Sequence, residues 1–322
     1  MFDGLKLSFG TLSVLPAGMP GTVDRKVAGR AMTLAPLVGL VLGGIAAAVV
    51  YGVDRLKPDA SLLSAVLGIV VLAVLSGGLH LDGLADTADG FGSRKDRETK
   101  LRIMKQSDIG PFGVVSIAVV LLLDVAALQV CVQNGFGWQA ILIAGVASRL
   151  TLPWSCRTSV PSARPDGLGA MVAGSVRSSA ANLVTLLSVA GALTLGWLTS
   201  RAAERGWFAY GADEFTSELV IGGTSFVDGP GRLHGQAWGG ITGQGWGAGP
   251  SSDYTHLTRL ADAPALELTL LGTAGATLLA VLLAFAATRR AKRALGGITG
   301  DTLGATVELA VPLTLVVLAL TT

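Results

Sequence analysis

Seven long apolar segments constrain the fold of this chain more than any other feature of its sequence. They lie at residues 31–51, 60–79, 113–132, 139–153, 180–200, 265–287 and 304–320. A helix that crosses the hydrocarbon core of a membrane needs about 20 mainly apolar residues, and the fourth segment, which contains Arg149, is the weakest candidate. Charged residues make up 14% of the chain, whereas an ordinary soluble domain has about 25%. The sequence therefore predicts an all-α, polytopic integral membrane protein with about seven transmembrane helices.

The distribution of lysine and arginine predicts the orientation of these helices. If the N-terminus lies inside, the inner segments hold 17 Lys and Arg residues and the outer segments hold six. Short loops on the inner side of a membrane are enriched in positive charge. We therefore expect the N-terminus inside and the C-terminus outside.

The composition also excludes several kinds of partner and site. A net charge of +2 gives no electrostatic indication of a nucleic-acid partner. The two cysteines, Cys131 and Cys156, both lie in apolar segments and do not make a disulfide framework. The three histidines are widely spaced in the sequence, which argues against a histidine metal cluster.

One segment, residues 201–264, differs in composition from the rest of the chain. It holds 13 glycines and shows no helical periodicity. Long segments of this kind are functional loops, disordered stretches or small insertions. We expect a single membrane-embedded domain over residues 1–322, in which residues 201–264 form a glycine-rich outer loop between the fifth and sixth transmembrane helices, away from the chemistry.

The densest group of chemically active residues follows the second apolar segment, in the sequence GGLHLDGLADTADG at residues 77–90. Asp82, Asp86 and Asp89 are spaced so that a helix places their carboxylates along one side. A divalent cation relieves the repulsion between them, and Mg²⁺ prefers carboxylate oxygens together with substrate phosphates. The motif therefore predicts a Mg²⁺-dependent diphosphate site, and a solvated acidic helix end is the alternative.

A second acidic pair opens the last apolar segment. Asp301 and Glu308 are seven residues apart, with Gly304 between them on the same side of a helix. Glu308 falls inside the apolar segment, where an ionised group is costly unless it is matched. We expect this pair to face the first acidic motif, as metal ligand or general base. Alternatively, Asp301 is the N-cap of the helix, which leaves Glu308 unexplained.

Several polar side chains on the same predicted side of the membrane are candidates for binding phosphate. Lys105 and Ser107 precede a Gly-Pro turn, and Arg164 lies in a second turn. Arg94 follows the acidic motif after four residues. Each of these cations is alternatively an anchor to lipid headgroups.

Arg149 differs from these cations because it lies inside the fourth apolar segment. A charge in that position needs an anionic partner. Asp124, in the third apolar segment, is one candidate for that partner, and the substrate is the other.

Taken together, these motifs resemble those of one family. GGLHLDGLADTADG is followed by IMKQSDIGPFG at residues 103–113, ARPDGLG at 163–169 and GDTLGATVE at 300–308. This order and spacing is similar to that of the cobalamin synthase family, the adenosylcobinamide-GDP ribazoletransferases, over nearly the whole chain apart from residues 201–264. The resemblance implies that adenosylcobinamide-GDP reacts with α-ribazole or its 5′-phosphate, giving adenosylcobalamin or its 5′-phosphate and GMP.

The resemblance also implies a role for each candidate residue. Mg²⁺ is the implied cofactor, with the ligands Asp82, Asp86, Asp89 and Asp301. The implied catalytic carboxylates are Glu308, Asp89 and Asp301, with Glu308 as the preferred general base. The implied substrate contacts are His80, Arg94, Lys105, Ser107, Arg149 and Arg164.

The expected surroundings are the lipid bilayer of a bacterial plasma membrane, with the active site on the cytoplasmic side. The two substrates are the expected partners, and association with a second copy or with other cobalamin-assembly enzymes is left open. Two other functions remain as alternatives. One is a different membrane phosphotransferase, acting on CDP-alcohols or polyprenyl phosphate, and the other is an ion-coupled transporter.

Overall fold

The computed structural model describes residues 2–204, 226–227, 233–234 and 266–322. Within these residues the chain is almost entirely helical, as expected. The helices are α1 (Phe2–Leu12), α2 (Arg25–Thr33), α3 (Ala35–Leu56), α4 (Ser61–Leu75), α5 (Leu79–Gly92), α6 (Arg97–Ile103), α7 (Pro111–Gln133), α8 (Gly137–Ser155), α9 (Gly167–Val172), α10 (Ser178–Glu204), α11 (Leu266–Leu295) and α12 (Gly300–Thr321). Two short strands, β1 (Phe226–Val227) and β2 (Leu233–His234), pair antiparallel.

The chain divides into two compact units. One unit comprises Met1–Gly196 and Pro264–Thr322, and the other comprises Trp197–Ala263. The second unit contains the strand pair and the end of α10. The predicted outer loop at residues 201–264 lies mostly outside the described residues, so its placement stays a prediction. All that follows concerns the first unit.

Five of the described helices are long and apolar enough to cross a membrane: α3, α7, α10, α11 and α12. A sixth candidate is the bent pair of α4 and α5. The chain therefore has the character of a polytopic membrane protein, as the sequence predicts. The count of seven helices and the orientation of the termini stay predictions.

The second predicted span is broken by two glycines. α4 ends at Leu75 and not at Leu79, and the axis of α5 is turned by 87° from that of α4. Gly77 and Gly78 at the bend have φ angles of 65° and 68°, a left-handed conformation that costs other residues about 1–2 kcal/mol. The bend directs the acidic motif, which forms α5, away from the axis of the apolar helix.

The fourth predicted span is α8, which lies among other helices. Most of its 19 residues are buried, including the charged residue Arg149. Gly39 of α3 and Gly145 of α8 lie so close that a Cβ on Gly39 would collide with the carbonyl oxygen of Gly145. Small residues of this kind let helix backbones approach in membrane proteins. Because α8 faces protein, it tolerates polar side chains that a lipid-facing helix excludes.

Contacts between helix ends bring together, at one end of the first unit, the loops that the sequence places on the inner side of the membrane. At that end, the Arg97 side chain donates hydrogen bonds to the carbonyl oxygens of Leu295 (2.6 Å) and Ala163 (2.9 Å). At the other end, the Gln133 side chain donates to Ser61 Oγ at 3.4 Å. The acidic motif and the phosphate-binding candidates therefore share one end of the unit.

We predict that the contact between α3 and α8 is sensitive to a single methyl group. Gly39→Ala should lower the free energy of unfolding by about 1–3 kcal/mol, because the added Cβ overpacks the contact with Gly145. Gly44→Ala is the matched control, since no atom lies within 4 Å of a Cβ there, and it should leave stability unchanged or slightly increase it. Thermal unfolding can be followed by thiol-dye labelling of the buried Cys131 and Cys156. Equal melting temperatures for the two variants would contradict the prediction.

Candidate active site

The site is built on a close crossing of α5 and α12. A Cβ on Gly83 would lie 2.8 Å from the carbonyl oxygen of Asp301 and 3.2 Å from Cα of Gly304. Conversely, a Cβ on Gly304 would lie 3.4 Å from Cα of Gly83. The two helices therefore meet backbone to backbone. Asp301 lies by the first acidic motif as expected, whereas Glu308 belongs to a separate group of side chains.

The crossing creates an acidic face, which consists of Asp82, Asp86 and Asp301. The Asp86 carboxylate interacts electrostatically with both other carboxylates. The compensating cation is Arg164, whose Nη1 donates to Asp301 Oδ2 at 3.3 Å. A second nitrogen of the guanidinium donates to the carbonyl oxygen of Leu101 at 2.8 Å, which fixes its direction. Three carboxylates beside one guanidinium leave the face with an excess of negative charge.

Asp301 does not cap α12, which removes the alternative to a functional role. The N-cap is Thr299, whose hydroxyl accepts from the amide of Thr302, while the Thr302 hydroxyl accepts from the amide of Thr299. This reciprocal arrangement occupies the first amides of the helix. Asp301 lies in the first turn and is left to pair with Arg164.

The donor chemistry of the acidic face fits Mg²⁺ that arrives with a phosphorylated substrate. Its donors are carboxylate oxygens, which hard divalent cations prefer. In the described part of the chain, no three Asp, Glu, His or Cys side chains lie close enough together to hold a metal ion by themselves. Mg²⁺ is usually bound by one or two carboxylates and by substrate phosphates. The metal assignment to Asp82, Asp86, Asp89 and Asp301 therefore stays a prediction.

Asp89, the third carboxylate of the motif, is directed at the start of α7. Its Oδ2 accepts from the amide of Gly110 at 2.8 Å, and its Oδ1 accepts from the amide of Gly113 at 3.0 Å. These amides lie at the N-terminus of α7, where backbone donors lack helical partners. Asp89 therefore joins α5 to α7. Proline at residue 111 signals a helix start, but nothing local in the sequence identifies the acceptor.

Two of the predicted phosphate-binding cations, Lys105 and Arg164, lie at the same loop beside the acidic face. Lys105 pairs with Asp166 at 3.4 Å, and both side chains are more than half exposed. Asp166 is two residues from Arg164, so both cations lie by the same turn. Ser107 is exposed, and its hydroxyl makes no hydrogen bond within the described residues. The loop therefore supplies positive charge at the edge of the acidic face.

A second, deeper group of charged side chains lies between the helices. This inner cluster consists of His80, Asp124, Arg149 and Glu308. Asp124, Arg149 and Glu308 line one small cavity, and Arg149 interacts electrostatically with Glu308. His80, Asp124 and Arg149 are each at most 2% exposed. Within the described residues, no hydrogen-bond partner is present for either ring nitrogen of His80, for Asp124 Oδ1 or for Arg149 Nε.

The inner cluster is separate from the acidic face. Glu308 lies seven residues beyond Asp301 on α12, which corresponds to about 10 Å along the helix axis. Of the two partners suggested for Arg149, Asp124 lines the same cavity. The carboxylate that acts electrostatically on Arg149 is Glu308, and neither carboxylate is within ion-pair distance of it. His80, Arg149 and Glu308 are thus brought together, away from Asp82 and Asp86.

A third feature combines a predicted residue with several that sequence reasoning missed. Arg94 lines a cavity of about 810 Å³ between the end of α5, α6 and the end of α11. We call it the basic cavity, and its other charged or aromatic lining residues are Phe91, Lys100, Arg289, Arg290 and Arg293. In the sequence, the arginines near residue 290 contributed only to the orientation of the helices. Their convergence with α5 depends on the tertiary fold.

Comparisons with known proteins identify one family. A family model described as cobalamin-5-phosphate synthase matches residues 4–319. A relative from Frankia casuarinae is 44% identical over 60% of this chain and 72% of its own length, and one from Nocardioides sp. is 39% identical over 64% and 88%. One from Desulforamulus reducens is 38% identical over 61% and 76%. All three are named adenosylcobinamide-GDP ribazoletransferase, and no solved structure matches significantly. Because the family model spans almost the entire sequence, this chain belongs to the cobalamin-5-phosphate synthase family.

Proposed function

We propose that this protein is an adenosylcobinamide-GDP ribazoletransferase of a bacterial plasma membrane, with its active site on the cytoplasmic side. The observation that carries the proposal is the crossing at Gly83 and Gly304, which brings two family motifs together as one acidic face beside Arg164. The activity named for the relatives requires a site for a diphosphate. An excess of carboxylates at a membrane boundary, with cations at its edge, is suited to a metal-bound diphosphate.

The acidic face binds the diphosphate of adenosylcobinamide-GDP in this proposal. Asp82 and Asp86, together with the diphosphate itself, would hold Mg²⁺, which would supply charge neutralisation for the diphosphate and for the departing phosphate. Arg164 and Lys105 orient phosphate oxygens from the edge of the face. Positioning and electrostatic stabilisation account for most of the rate enhancement in phosphoryl transfer, so rigid placement of these side chains is central to the mechanism.

In the transfer step, a ribose hydroxyl of α-ribazole, or of its 5′-phosphate, attacks the phosphorus that bears the cobinamide. A new oxygen–phosphorus bond forms, the bond from that phosphorus to the oxygen of the GMP phosphate breaks, and GMP leaves. The hydroxyl proton passes to a carboxylate.

Two carboxylates of α12 are candidates for the base. Glu308 is the first choice from the sequence, and its assignment stays a prediction. Asp301 is favoured by geometry, because it belongs to the acidic face, whereas Glu308 lies about 10 Å deeper along α12 beside Arg149. Asp89 is disfavoured as a base, since both of its oxygens already accept hydrogen bonds from α7.

The proposed function predicts release of GMP that depends on both substrates. Purified protein in lipid nanodiscs should release GMP from adenosylcobinamide-GDP only when α-ribazole or its phosphate is present, and chelation of Mg²⁺ should stop the release. The products can be measured by liquid chromatography. Turnover of a CDP-alcohol or of polyprenyl phosphate, without turnover of adenosylcobinamide-GDP, would replace the proposal with another phosphotransferase activity.

Substitutions of Asp86 and Asp89 should have different effects, the first on activity and the second on stability. Asp86→Asn should lower kcat by at least about a hundredfold, raise the Mg²⁺ concentration needed for half-maximal rate, and leave the melting temperature nearly unchanged. Asp89→Asn should lower stability by about 1–3 kcal/mol, because the new amide cannot accept from both Gly110 and Gly113. Asp59→Asn is the control, since Asp59 is exposed and pairs only with Lys57. If added Mg²⁺ rescued Asp89→Asn and not Asp86→Asn, the two roles would be exchanged.

Asp301→Asn and Glu308→Gln separate the two candidates for the base. If Asp301 accepts the proton, Asp301→Asn should lose most of its turnover at every pH and at saturating Mg²⁺. Glu308→Gln should instead lower the melting temperature, since it leaves the buried Arg149 without its anionic neighbour, while the folded fraction keeps substantial turnover. The opposite pattern, a stable but inactive Glu308→Gln, would assign the base to Glu308.

A further inference from the structure

The basic cavity collects five cations from two separate parts of the chain. Arg94 and Lys100 come from the segment after α5, and the other cations come from the last two turns of α11. A lipid anchor needs only positive charge near the membrane surface. It does not require the cations to converge on a cavity of about 810 Å³ that also contains the ring of Phe91.

These cations are not neutralised by the protein. No carboxylate in the described part of the chain lies within ion-pair distance of any of the five. Two carboxylates lie within two residues of these cations. Glu98, in the first turn of α6, forms no ion pair among the described residues. Asp96 is the N-cap of α6 and accepts from the amide (2.8 Å) and the hydroxyl (3.2 Å) of Thr99. These bonds hold the pKa of Asp96 below its usual range. The repulsion among the five cations is therefore left for an anionic ligand to relieve.

Neighbouring cations show a contrast, because the fold uses them structurally. Lys292 donates to the carbonyl oxygen of Ser159 at 3.1 Å, and Arg97 is bound to two carbonyl oxygens. The lining residues Arg289, Arg290 and Arg293 make no such bonds within the described residues. The arginines of α11 that line the cavity are therefore those whose hydrogen-bond donors the described protein does not use.

The cavity also offers flat surfaces on which an aromatic ring can stack. The guanidinium of Arg290 lies 4.9 Å from the centre of the Phe91 ring, and the ammonium of Lys100 lies 5.9 Å from it. Phenyl rings and guanidinium planes both stack on nucleobases. Arg94 has a φ of 54°, a left-handed conformation that is costly for arginine and that clusters at functional sites.

The position of the cavity connects it to the acidic face. Phe91 lies five residues after Asp86 on α5, which is about 7.5 Å along the helix axis. Lys100 lies on α6, whose residue Leu101 accepts a hydrogen bond from Arg164. The cavity is therefore built on α5 and α6, the helices that also carry Asp86 and the carbonyl oxygen bound by Arg164.

We propose that the basic cavity is the subsite for the guanosine monophosphate portion of the substrate, with the purine against Phe91 and the phosphate among the arginines. This inference rests on the proposed function, which supplies the guanosine diphosphate group. The same phosphate chemistry is available from the headgroups of anionic lipids, so the experiment separates the two sources.

The experiment measures GMP binding to the full-length protein in nanodiscs of phosphatidylcholine. Wild type should bind GMP, and the double variant R290Q/R293Q should bind it about tenfold or more weakly. K292Q removes a charge from the same helix outside the cavity and should bind within about twofold of wild type. Phe91→Leu should weaken the binding of GMP but not that of ribose 5-phosphate, which has no base to stack. Unchanged GMP binding in R290Q/R293Q would overturn the inference.

A second arm uses nanodiscs that contain phosphatidylglycerol. The inference predicts that GMP binds wild type equally in both lipids. Wild type that binds no GMP in either lipid, but retains phosphatidylglycerol that R290Q/R293Q loses, would identify the cavity as a lipid site and overturn the inference. In turnover assays, R290Q/R293Q should raise KM for adenosylcobinamide-GDP with little change in kcat. Wild type that binds GMP in the cavity but has no transferase activity would refute the proposed function alone. An active enzyme whose variants bind GMP normally would refute this inference alone.

Discussion

The close approach of α5 and α12 is the contact on which the rest of the site depends. Between helices in a lipid bilayer there is little hydrophobic driving force, and association relies on close packing and hydrogen bonds. Glycine at residues 83 and 304 lets the two backbones touch. A side chain at residue 83 would collide with the carbonyl oxygen of Asp301 and push α5 and α12 apart. The glycines of the two motifs thus determine the distance between the aspartates that the motifs carry.

The protein keeps two groups of charge apart along α12. The acidic face is partly open and has more carboxylates than cations, so it is suited to bind a cation and a phosphorylated ligand. The inner cluster is closed, and its charges must satisfy each other because the energy of an unpaired charge rises steeply in a medium of low dielectric constant. Glu308 is the carboxylate whose charge acts on Arg149, across more than ion-pair distance. Similar side chains therefore serve different purposes at different depths.

Much of the fold follows from the sequence, because apolar length and small residues determine where helices form in a membrane protein. The spacing of the acidic residues in the sequence correctly predicted that Asp82 and Asp86 lie near Asp301. Hydropathy did not predict the bend at two glycines between α4 and α5, and it does not distinguish a helix enclosed by protein, such as α8, from one in lipid. The hydrogen bonds of Asp89 and the convergence of arginines on Phe91 depend on tertiary contacts, which no local pattern encodes.

The two hydrogen bonds of Asp89 have a consequence for the rotation of α5 about its own axis. Because two oxygens are held by two amides of α7, the Asp89 side chain is fixed in direction as well as in position. Residues seven apart on a helix differ by only about 20° in angle, so Asp82 shares the direction of Asp89, and Asp86 lies close to it. A twist of α5 that turned its carboxylates away from α12 would break both bonds. A residue that need not touch the substrate therefore sets the angle at which the other two carboxylates are presented.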